Sequence, residues 1–320
     1  MENSNTYNPE RKLWLDALRG LAIILVVWGH QVSTWYEFFV VTSPVKMPLF
    51  FAISGYLFNS RNGNQRLFYK NMFFKIIAPW MILGLFPYTN IPNKLIALIS
   101  GKSLWFMPCL VIAEIIYFYV HKFLKTTFSK FFVSLLLCVI GFIFHSFHIL
   151  RFGMIDTAFI VQPFFVIGLL IRINEKFLAC YWKKWTLISV ILYLLLIGLS
   201  FVFYSGKSLD VHLNRYYNIP FCGLMITIGC VTLFTVFRQC EVSTRWLVYI
   251  GQNTLVIYIL HGYVIAAVLK AMDFLHISVL QHLQLAGLIR TVIGLSICCL
   301  IAFFINKYVP IAAGKWSPRK

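Results

Sequence analysis

Long apolar stretches follow one another along almost the whole chain, separated by short polar segments. Ten of them reach, or nearly reach, the length that an α-helix needs to cross a membrane. We therefore predict an all-α, polytopic membrane bundle of about ten transmembrane helices. The predicted spans cover residues 14–32, 46–59, 72–90, 104–120, 131–149, 156–173, 185–204, 216–236, 246–269 and 286–309.

Prolines make two of these spans less regular than the others. The second span is short and contains Pro48, so an alternative is that it extends backwards through residues 38–45. Pro79 and Pro87 should kink the third span, because a proline removes a backbone donor. Nine or eleven spans remain alternatives to ten.

The first apolar stretch begins at Trp14, after a polar leader of residues 1–13. It contains Asp16 and Arg19 and has no small-residue cleavage site, so we interpret it as a retained helix and not as a signal peptide. No fixed-period repeat or long linker divides the sequence. We therefore expect one membrane-embedded domain over residues 1–320, with a basic tail at 310–320.

The composition excludes a soluble globular protein. Apolar residues make up 60% of the chain and charged residues 12%, with a mean hydropathy of +0.80. A soluble domain needs roughly twice that charged share. A disordered chain is also excluded, because such chains are poor in aromatic residues and this one contains 31 phenylalanines.

The net charge of +18 points to a membrane surface and not to nucleic acid. If the N-terminus is cytoplasmic, 20 of the 28 lysines and arginines fall in inner segments. The positive-inside rule then predicts that both termini are cytoplasmic and that anionic lipid is the partner of the basic loops. We expect a multi-pass protein of the cytoplasmic membrane.

The cysteines and most histidines give no sign of a metal site. The eight cysteines form no C-x-x-C pair, so we interpret them as small apolar residues. His145 and His148 have a helical i, i+3 spacing, but near the outer interface we expect them to be solvated. No resident metal or permanently bound cofactor is predicted.

Three polar residues form a stripe on the otherwise apolar first span. Asp16, Arg19 and His30 are separated by three and eleven residues, which places them on one side of a helix. Ionisable groups within a span are costly and are therefore candidates for a functional role. The alternative interpretation is an Asp–Arg pair at the inner interface, with a hydrogen-bonded histidine between helices.

Counting helix rise along two spans places two histidines at one depth. His30 lies ~24 Å above Trp14, and His261 lies ~22 Å above Trp246. This match predicts a shared polar cavity in the outer half of the bundle. Glu114, in the fourth span, is a further intramembrane ionisable residue, and it needs a cationic neighbour or a proton.

A basic cluster lies between the second and third spans. Arg66, Lys70 and Lys75 are close together just before Pro79. One interpretation is that they anchor the inner loop at the lipid surface. The other is that they form a docking edge for a phosphorylated cosubstrate.

Several motifs, in this order, resemble the acyltransferase type 3 family of integral-membrane O-acyltransferases. The Arg19-to-His30 spacing within LDALRGLAIILVVWGH resembles the signature of that family's first span. Lys46 stands where the second motif often begins with histidine. The other similar segments are KMPLFFAISGYLF (46–58), FFKIIAPWMI with Lys75 and Pro79, and two segments that resemble the fucose 4-O-acetylase-like subgroup, SLWFMPCLVIAEI (103–115) and GQNTLVIYILHGYV (251–264).

The resemblance implies transfer of an acyl group, usually acetyl, from cytoplasmic acyl-CoA to a sugar hydroxyl of an envelope or exported glycan. Acetyl-CoA would be a cosubstrate, and the acceptor a glycan or lipid-linked glycan. Alternatives are an exporter of a glycan, lipid-linked sugar or small solute, and a structural membrane scaffold. Only the acyltransferase must consume acyl-CoA.

Residue chemistry suggests roles for the candidates in such a transfer. His30 can act as the general base near neutral pH. Arg19 would guide the pantetheine arm or neutralise a CoA phosphate, and Asp16 would position Arg19. Glu114 would orient His30 or bind a sugar hydroxyl. His261 completes the candidate catalytic set, while Arg66, Lys70 and Lys75 would bind the CoA phosphates.

Overall fold

The computed structural model describes residues 12–31, 35–58, 64–86, 88–275 and 284–315. Within these ranges the chain is helical apart from its loops and one isolated β-bridge, Asp210–Arg215. The all-α prediction is therefore confirmed for the part of the chain that is described.

The helices are numbered here in chain order. They are α1 (Leu13–Gly29), α2 (Tyr36–Lys46), α3 (Pro48–Leu57), α4 (Gln65–Met72), a π-helix (Phe73–Ile77), α5 (Ala78–Gly84), α6 (Ile91–Ser100), α7 (Phe106–Phe123), α8 (Thr127–Ser146), α9 (Ile155–Ile160), α10 (Gln162–Ile173), α11 (Glu175–Cys180), α12 (Trp182–Phe203), α13 (Ile219–Gln239), α14 (Arg245–Gln252), α15 (Thr254–Phe274) and α16 (Gln284–Tyr308), with short 3₁₀ turns at Phe152–Met154 and Pro310–Ala313.

Seven helical segments in the described residues are long and apolar enough to cross a membrane. These are the α2–α3 unit, α7, α8, α12, α13, α15 and α16. An eighth is added if the segments Phe152–Ile160 and Gln162–Ile173, which meet at 46°, form one bent span. The chain is therefore a multi-pass helical membrane protein, while the count of ten and the cytoplasmic placement of the termini stay predictions.

The second and third predicted spans differ from the observed helices. The second is longer than 46–59, because α2 and α3 together run over Tyr36–Leu57 and take up the apolar residues before Pro48. The third is divided, because Pro79 cannot donate to the carbonyl of Lys75. A π-helical turn, Phe73–Ile77, precedes Pro79, and α5 ends at Gly84. Pro87 lies outside the described residues.

The ninth predicted span is also broken, at Asn253 between α14 and α15. The Asn253 side chain is buried, and its Oδ1 accepts hydrogen bonds from Asn306 (2.7 Å) and Lys315 (2.9 Å). The neighbouring Gly314 has φ +67°, and a Cβ on it would lie 2.7 Å from the Lys75 carbonyl oxygen. The C-terminal turn thus packs on the backbone carbonyl that Pro79 leaves without its helical donor.

Glycines allow two helix pairs to pack backbone against backbone. A Cβ added at Gly251 of α14 would lie 1.7 Å from the Asp16 carbonyl oxygen of α1. A Cβ at Gly168 of α10 would lie 1.8 Å from the Ala52 carbonyl oxygen of α3. Small residues at such interfaces let membrane helices approach closely. These two contacts fix α3 and also α1, which carries Asp16 and Arg19.

A polar clasp joins the ends of several helices on the side where α1 begins. Lys12 Nζ donates to Tyr56 Oη (2.6 Å) and to Glu175 Oε2 (2.8 Å), while Tyr56 donates to the same carboxylate (2.9 Å). Arg238 lies 3.5 Å from the other carboxylate oxygen. Burial acts to raise the pKa of Glu175, but these donors and cations outweigh it, so the pKa lies below its ordinary value. The clasp keeps Glu175 ionised.

Candidate functional site

A polar cavity lies between α1, α3, the π-helix, α7 and the C-terminal turn. It has two adjoining chambers of about 220 and 320 Å³, which share Arg19, Ser54, Lys75, Ile76 and Glu114. We call it the inner cavity. Further lining residues are Phe50, Leu57, Phe58, Phe68, Asn71, Met72, Phe106, Met107, Leu110, Gly251, Gln252, Thr254, Leu255, Tyr258 and Ala313.

The inner cavity carries two cations and one carboxylate. Arg19 and Lys75 face the same space as Glu114, and Arg19 Nη1 also lies 3.7 Å from Asp16 Oδ1. Asp16 itself is buried, and its other oxygen accepts a hydrogen bond from Gln252 (3.2 Å). Asp16 therefore supports Arg19 from outside the cavity. This arrangement can hold an anionic group beside Arg19 and Lys75.

His30 and His261 form a second cluster, at the other end of α1. Their ring centroids are 5.0 Å apart. His261 is 8% exposed, whereas His30 is exposed at the end of its helix. Nδ1 of His261 lies 2.7 Å from the Tyr258 carbonyl oxygen, which can only accept. Nδ1 therefore carries the hydrogen in the neutral ring, and Nε2 is left unprotonated.

Tyr258 connects the inner cavity to the histidine pair. Its side chain lines the inner cavity, and its ring centroid lies 5.9 Å from that of His261. The Tyr258 hydroxyl accepts a hydrogen bond from the backbone N–H of Phe106 at the start of α7. This bond fixes the ring at the boundary between the cavity and the histidines.

Lys46 and His212 bring further charge or polarity to His30. The Lys46 Nζ is so close to the backbone of α1 that a Cβ on Gly29 would lie 3.3 Å from it. His212 stacks on Trp105 with a centroid separation of 4.9 Å. Both Lys46 and His212 are near enough to interact electrostatically with His30. Burial lowers the pKa of His212, although the Asp210 carboxylate acts in the opposite direction, so the ring is neutral near pH 7.

A second polar cavity, the outer pocket, lies on the side of the molecule where His30 is found. Its volume is about 440 Å³. His145 Nδ1 lies 2.9 Å from Asp156 Oδ2 within its wall, and Asp156 is 3% exposed. The outer pocket is lined by His145, Arg151, Met154, Asp156, Thr157, His212, Leu213, Asn214 and Arg215.

Neither the inner cavity nor the outer pocket brings the five predicted catalytic residues together. Arg19 and Glu114 line the inner cavity, whereas the rings of His30 and His261 contact each other. Asp16 contacts Arg19 and is not among the lining residues of the inner cavity. No contact between Glu114 and His30 is observed in the described part of the chain, and Glu114 lies instead beside Arg19 and Lys75.

The predicted basic cluster is also divided. All three residues are exposed, but Lys75 lines the inner cavity, whereas Arg66 and Lys70 on α4 are not among its lining residues. Lys75 lies within the π-helical turn that follows α4, and this turn changes the direction in which its residues face.

Tyr258 and the Asp156–His145 pair were not predicted from the sequence. His145 is not a solvated surface histidine as expected, because it binds a buried carboxylate. Asp156 is an acidic residue at the end of a predicted span, so the cost of a charge in that position could have identified it. Tyr258 gave no comparable signal, because tyrosines are common in this chain.

A family described as an acyltransferase domain matches residues 12–307, which include α1, the histidine pair and the outer pocket. No match is found among curated proteins or among solved structures. Because the family match covers far more than half of the sequence, the chain belongs to this family of acyltransferases.

Proposed function

We propose that the protein transfers an acetyl group from cytoplasmic acetyl-CoA to a sugar hydroxyl of an envelope or exported polysaccharide. The observation that carries this proposal is the position of the histidine pair. His261 adjoins Tyr258 of the inner cavity, and His30 interacts electrostatically with His212 of the outer pocket. A donor entering from one side and an acceptor entering from the other would meet at these histidines.

The inner cavity is the proposed donor site. Arg19 and Lys75 can bind phosphate or the polar part of the pantetheine arm, because both supply charge-assisted donors. Arg19 and His30 are ~16 Å apart along α1, so the arm would have to cover this distance past Tyr258. Glu114 would then accept a hydrogen bond from an amide of the arm, which revises its expected role beside His30.

The proposed reaction is a direct transfer. His30 takes the proton of the acceptor hydroxyl while its oxygen attacks the thioester carbonyl carbon. The Lys46 ammonium, near His30, stabilises the negative charge that develops on the carbonyl oxygen. The carbon–sulfur bond then breaks, and the CoA thiolate takes the proton from the His30 imidazolium. The products are a sugar ester and CoA.

The fucose 4-O-acetylase-like subgroup and the cytoplasmic membrane are part of the same proposal. They are supported by the segments 103–115 and 251–264 and by the distribution of basic residues. The acceptor would be reached from the outer surface.

Mass spectrometry of the host's envelope polysaccharides, with and without this gene, tests the proposal. We expect loss of O-acetyl groups from one polysaccharide at an unchanged amount of polysaccharide, and recovery when the gene is restored. An exporter would give the opposite result: less external polysaccharide with unchanged acetylation. Unchanged acetylation in every envelope glycan would contradict the proposed function.

A further inference from the structure

The outer pocket has an excess of positive charge at its mouth. Arg151 and Arg215 both line it, and Arg151 Nη2 donates a hydrogen bond to the His145 carbonyl oxygen (3.3 Å). In the part of the chain that is described, neither forms an ion pair with a carboxylate. Asp156, the acidic residue in the pocket wall, is already bound to His145 and Thr157. The two arginines are therefore available to an anionic ligand.

The interior of the outer pocket is built from a fixed hydrogen-bond network. Asp156 accepts from the backbone N–H of Thr157 (2.8 Å) and contacts His145 Nδ1, while Asn214 Nδ2 donates to Thr157 Oγ1 (2.8 Å). Asn214 is 8% exposed and has φ +51°, a conformation that asparagine tolerates. Because Asp156 occupies Nδ1 of His145, Nε2 remains for a hydroxyl of the ligand.

One wall of the outer pocket is a flat, rigid ring. His212 stacks on Trp105, and the backbone N–H groups of His212 and Leu213 point to Asp210, which accepts from both (2.9 and 3.3 Å). Burial keeps His212 neutral. The ring therefore offers a face for a sugar and adds no charge to the two arginines.

We propose that the outer pocket binds an anionic sugar unit of the acceptor, with Arg151 and Arg215 on its acidic group and His145 on a hydroxyl. A guanidinium group can bind a carboxylate or a phosphate through two parallel hydrogen bonds, so the acidic group of the sugar can be either one. As an acceptor subsite the pocket rests on the proposed function, because His212, in its wall, lies within electrostatic range of His30. As a binding site it does not depend on the reaction.

Calorimetric titration of the protein in phosphatidylcholine nanodiscs tests this proposal. The probes are D-glucuronate, D-glucose 6-phosphate and D-glucose. We expect both anionic sugars to bind at least about tenfold more tightly than glucose at low salt, and the difference to shrink as salt rises. The double variant Arg151→Gln/Arg215→Gln should lose the difference and keep its thermal unfolding temperature.

The matched control is Lys102→Gln/Lys207→Gln. Both lysines are exposed on the predicted outer side, and neither lines the outer pocket. Their replacement removes the same amount of positive charge as the double arginine variant. This variant should keep the preference for anionic sugars. Equal binding of glucose, or an equal loss in the control variant, would overturn the proposal. So would loss of sugar binding when phosphatidylglycerol replaces part of the phosphatidylcholine, because the pocket would then hold a lipid headgroup.

Failure of this proposal can be told apart from failure of the proposed function. Selective sugar binding without loss of O-acetyl groups on gene deletion would keep the subsite and reject acetyl transfer. O-acetyl loss on deletion, with no selective binding, would keep the transferase and reject the subsite.

Discussion

At the scale of single residues, His30 is the position on which the proposed chemistry depends most. It is exposed at the end of α1, and its ring contacts that of His261, whose free nitrogen can take a proton. Glutamine keeps hydrogen-bonding capacity but cannot act as a base near neutral pH. We therefore expect His30→Gln to lower the rate of acetyl transfer by about 10² to 10⁴ at normal protein abundance.

Acetyl released from the polysaccharide by mild alkali measures this effect in cells. The control is His148→Gln, because His148 is exposed near the end of α8 and lines neither cavity among the residues described. Full acetylation in the His30→Gln strain would exclude His30 as the base and favour a packing role.

Replacement of Lys75 distinguishes the two interpretations of the basic cluster, lipid anchoring and binding of a phosphorylated cosubstrate. Lys75 lines the inner cavity, whereas Arg66 and Lys70, on α4, are not among the lining residues. A hydrogen bond from a charged donor is worth about 1.5–3 kcal/mol, and the exposure of Lys75 places it at the lower end. Lys75→Gln should therefore raise the KM for acetyl-CoA about tenfold with a smaller change in kcat.

Steady-state kinetics on the purified protein checks this expectation. Arg66→Gln/Lys70→Gln should raise KM less than Lys75→Gln alone, and Lys125→Gln, at an exposed lysine on the predicted inner side, should leave it unchanged. An equal effect of the three changes would mean that general surface charge, and not the inner cavity, attracts CoA.

The sequence predicted the residues of α1 and their partners better than it predicted the cavities. Helix rise alone brought His30 and His261 to one depth, and their ring contact confirms that pairing. Lys75 could not be separated from Arg66 and Lys70, because a π-helical turn is not visible in an apolar pattern. Asp156 and His145 meet across a turn containing Met154 and Leu150, both with positive φ, which local periodicity does not report.

At the scale of helices, close backbone contacts hold the polar groups in place. Gly251 in α14 touches the Asp16 carbonyl, so Gly251→Ala would force α1 and α14 apart and displace the Asp16–Arg19 pair. Overpacking of this kind costs about 1–3 kcal/mol. We expect a lower thermal unfolding temperature in detergent and weaker binding of acetyl-CoA.

Gly262→Ala is the matched control for this change. Gly262 is also helical, in α15, but a Cβ on it would have nothing within 4 Å. Its unfolding temperature should be unchanged or higher, since alanine favours helix more than glycine does. An equally stable Gly251→Ala protein would show that α1 can move away from α14 at no cost.

The helix boundaries show where an apolar pattern is informative. Long uninterrupted stretches such as α8, α12 and α13 were found close to their predicted limits. The break at Asn253 was not predicted, because the polar residues Gln252, Asn253 and Thr254 interrupt the apolar stretch only briefly. That break depends on hydrogen bonds from Asn306 and Lys315, which are distant in sequence.

At the scale of the whole molecule, the predicted orientation can be tested with cysteines that the protein already contains. Cys180 and Cys240 are exposed and lie in segments predicted to be cytoplasmic. In intact cells, a membrane-impermeant maleimide should not label them, and it should label Lys207→Cys in a Cys180→Ser/Cys240→Ser background. Labelling of Cys180 in intact cells would show that the orientation is the reverse of the predicted one. The donor and acceptor sides would then be exchanged.

The placement of the histidine pair between two cavities has an electrical consequence. If His30 passes the acceptor's proton to the departing thiolate, the acetyl group moves from CoA to the acceptor and the proton moves from the acceptor to CoA. No net charge then crosses the bilayer. If the acceptor's proton were instead released to one aqueous phase and the thiolate were protonated from the other, one elementary charge would cross the bilayer. Moving that charge is worth about 2.3 kcal/mol per 100 mV. Transfer by proteoliposomes should therefore be insensitive to an imposed membrane potential. A voltage-dependent rate would mean that the proton leaves to one side while the thiolate is protonated from the other.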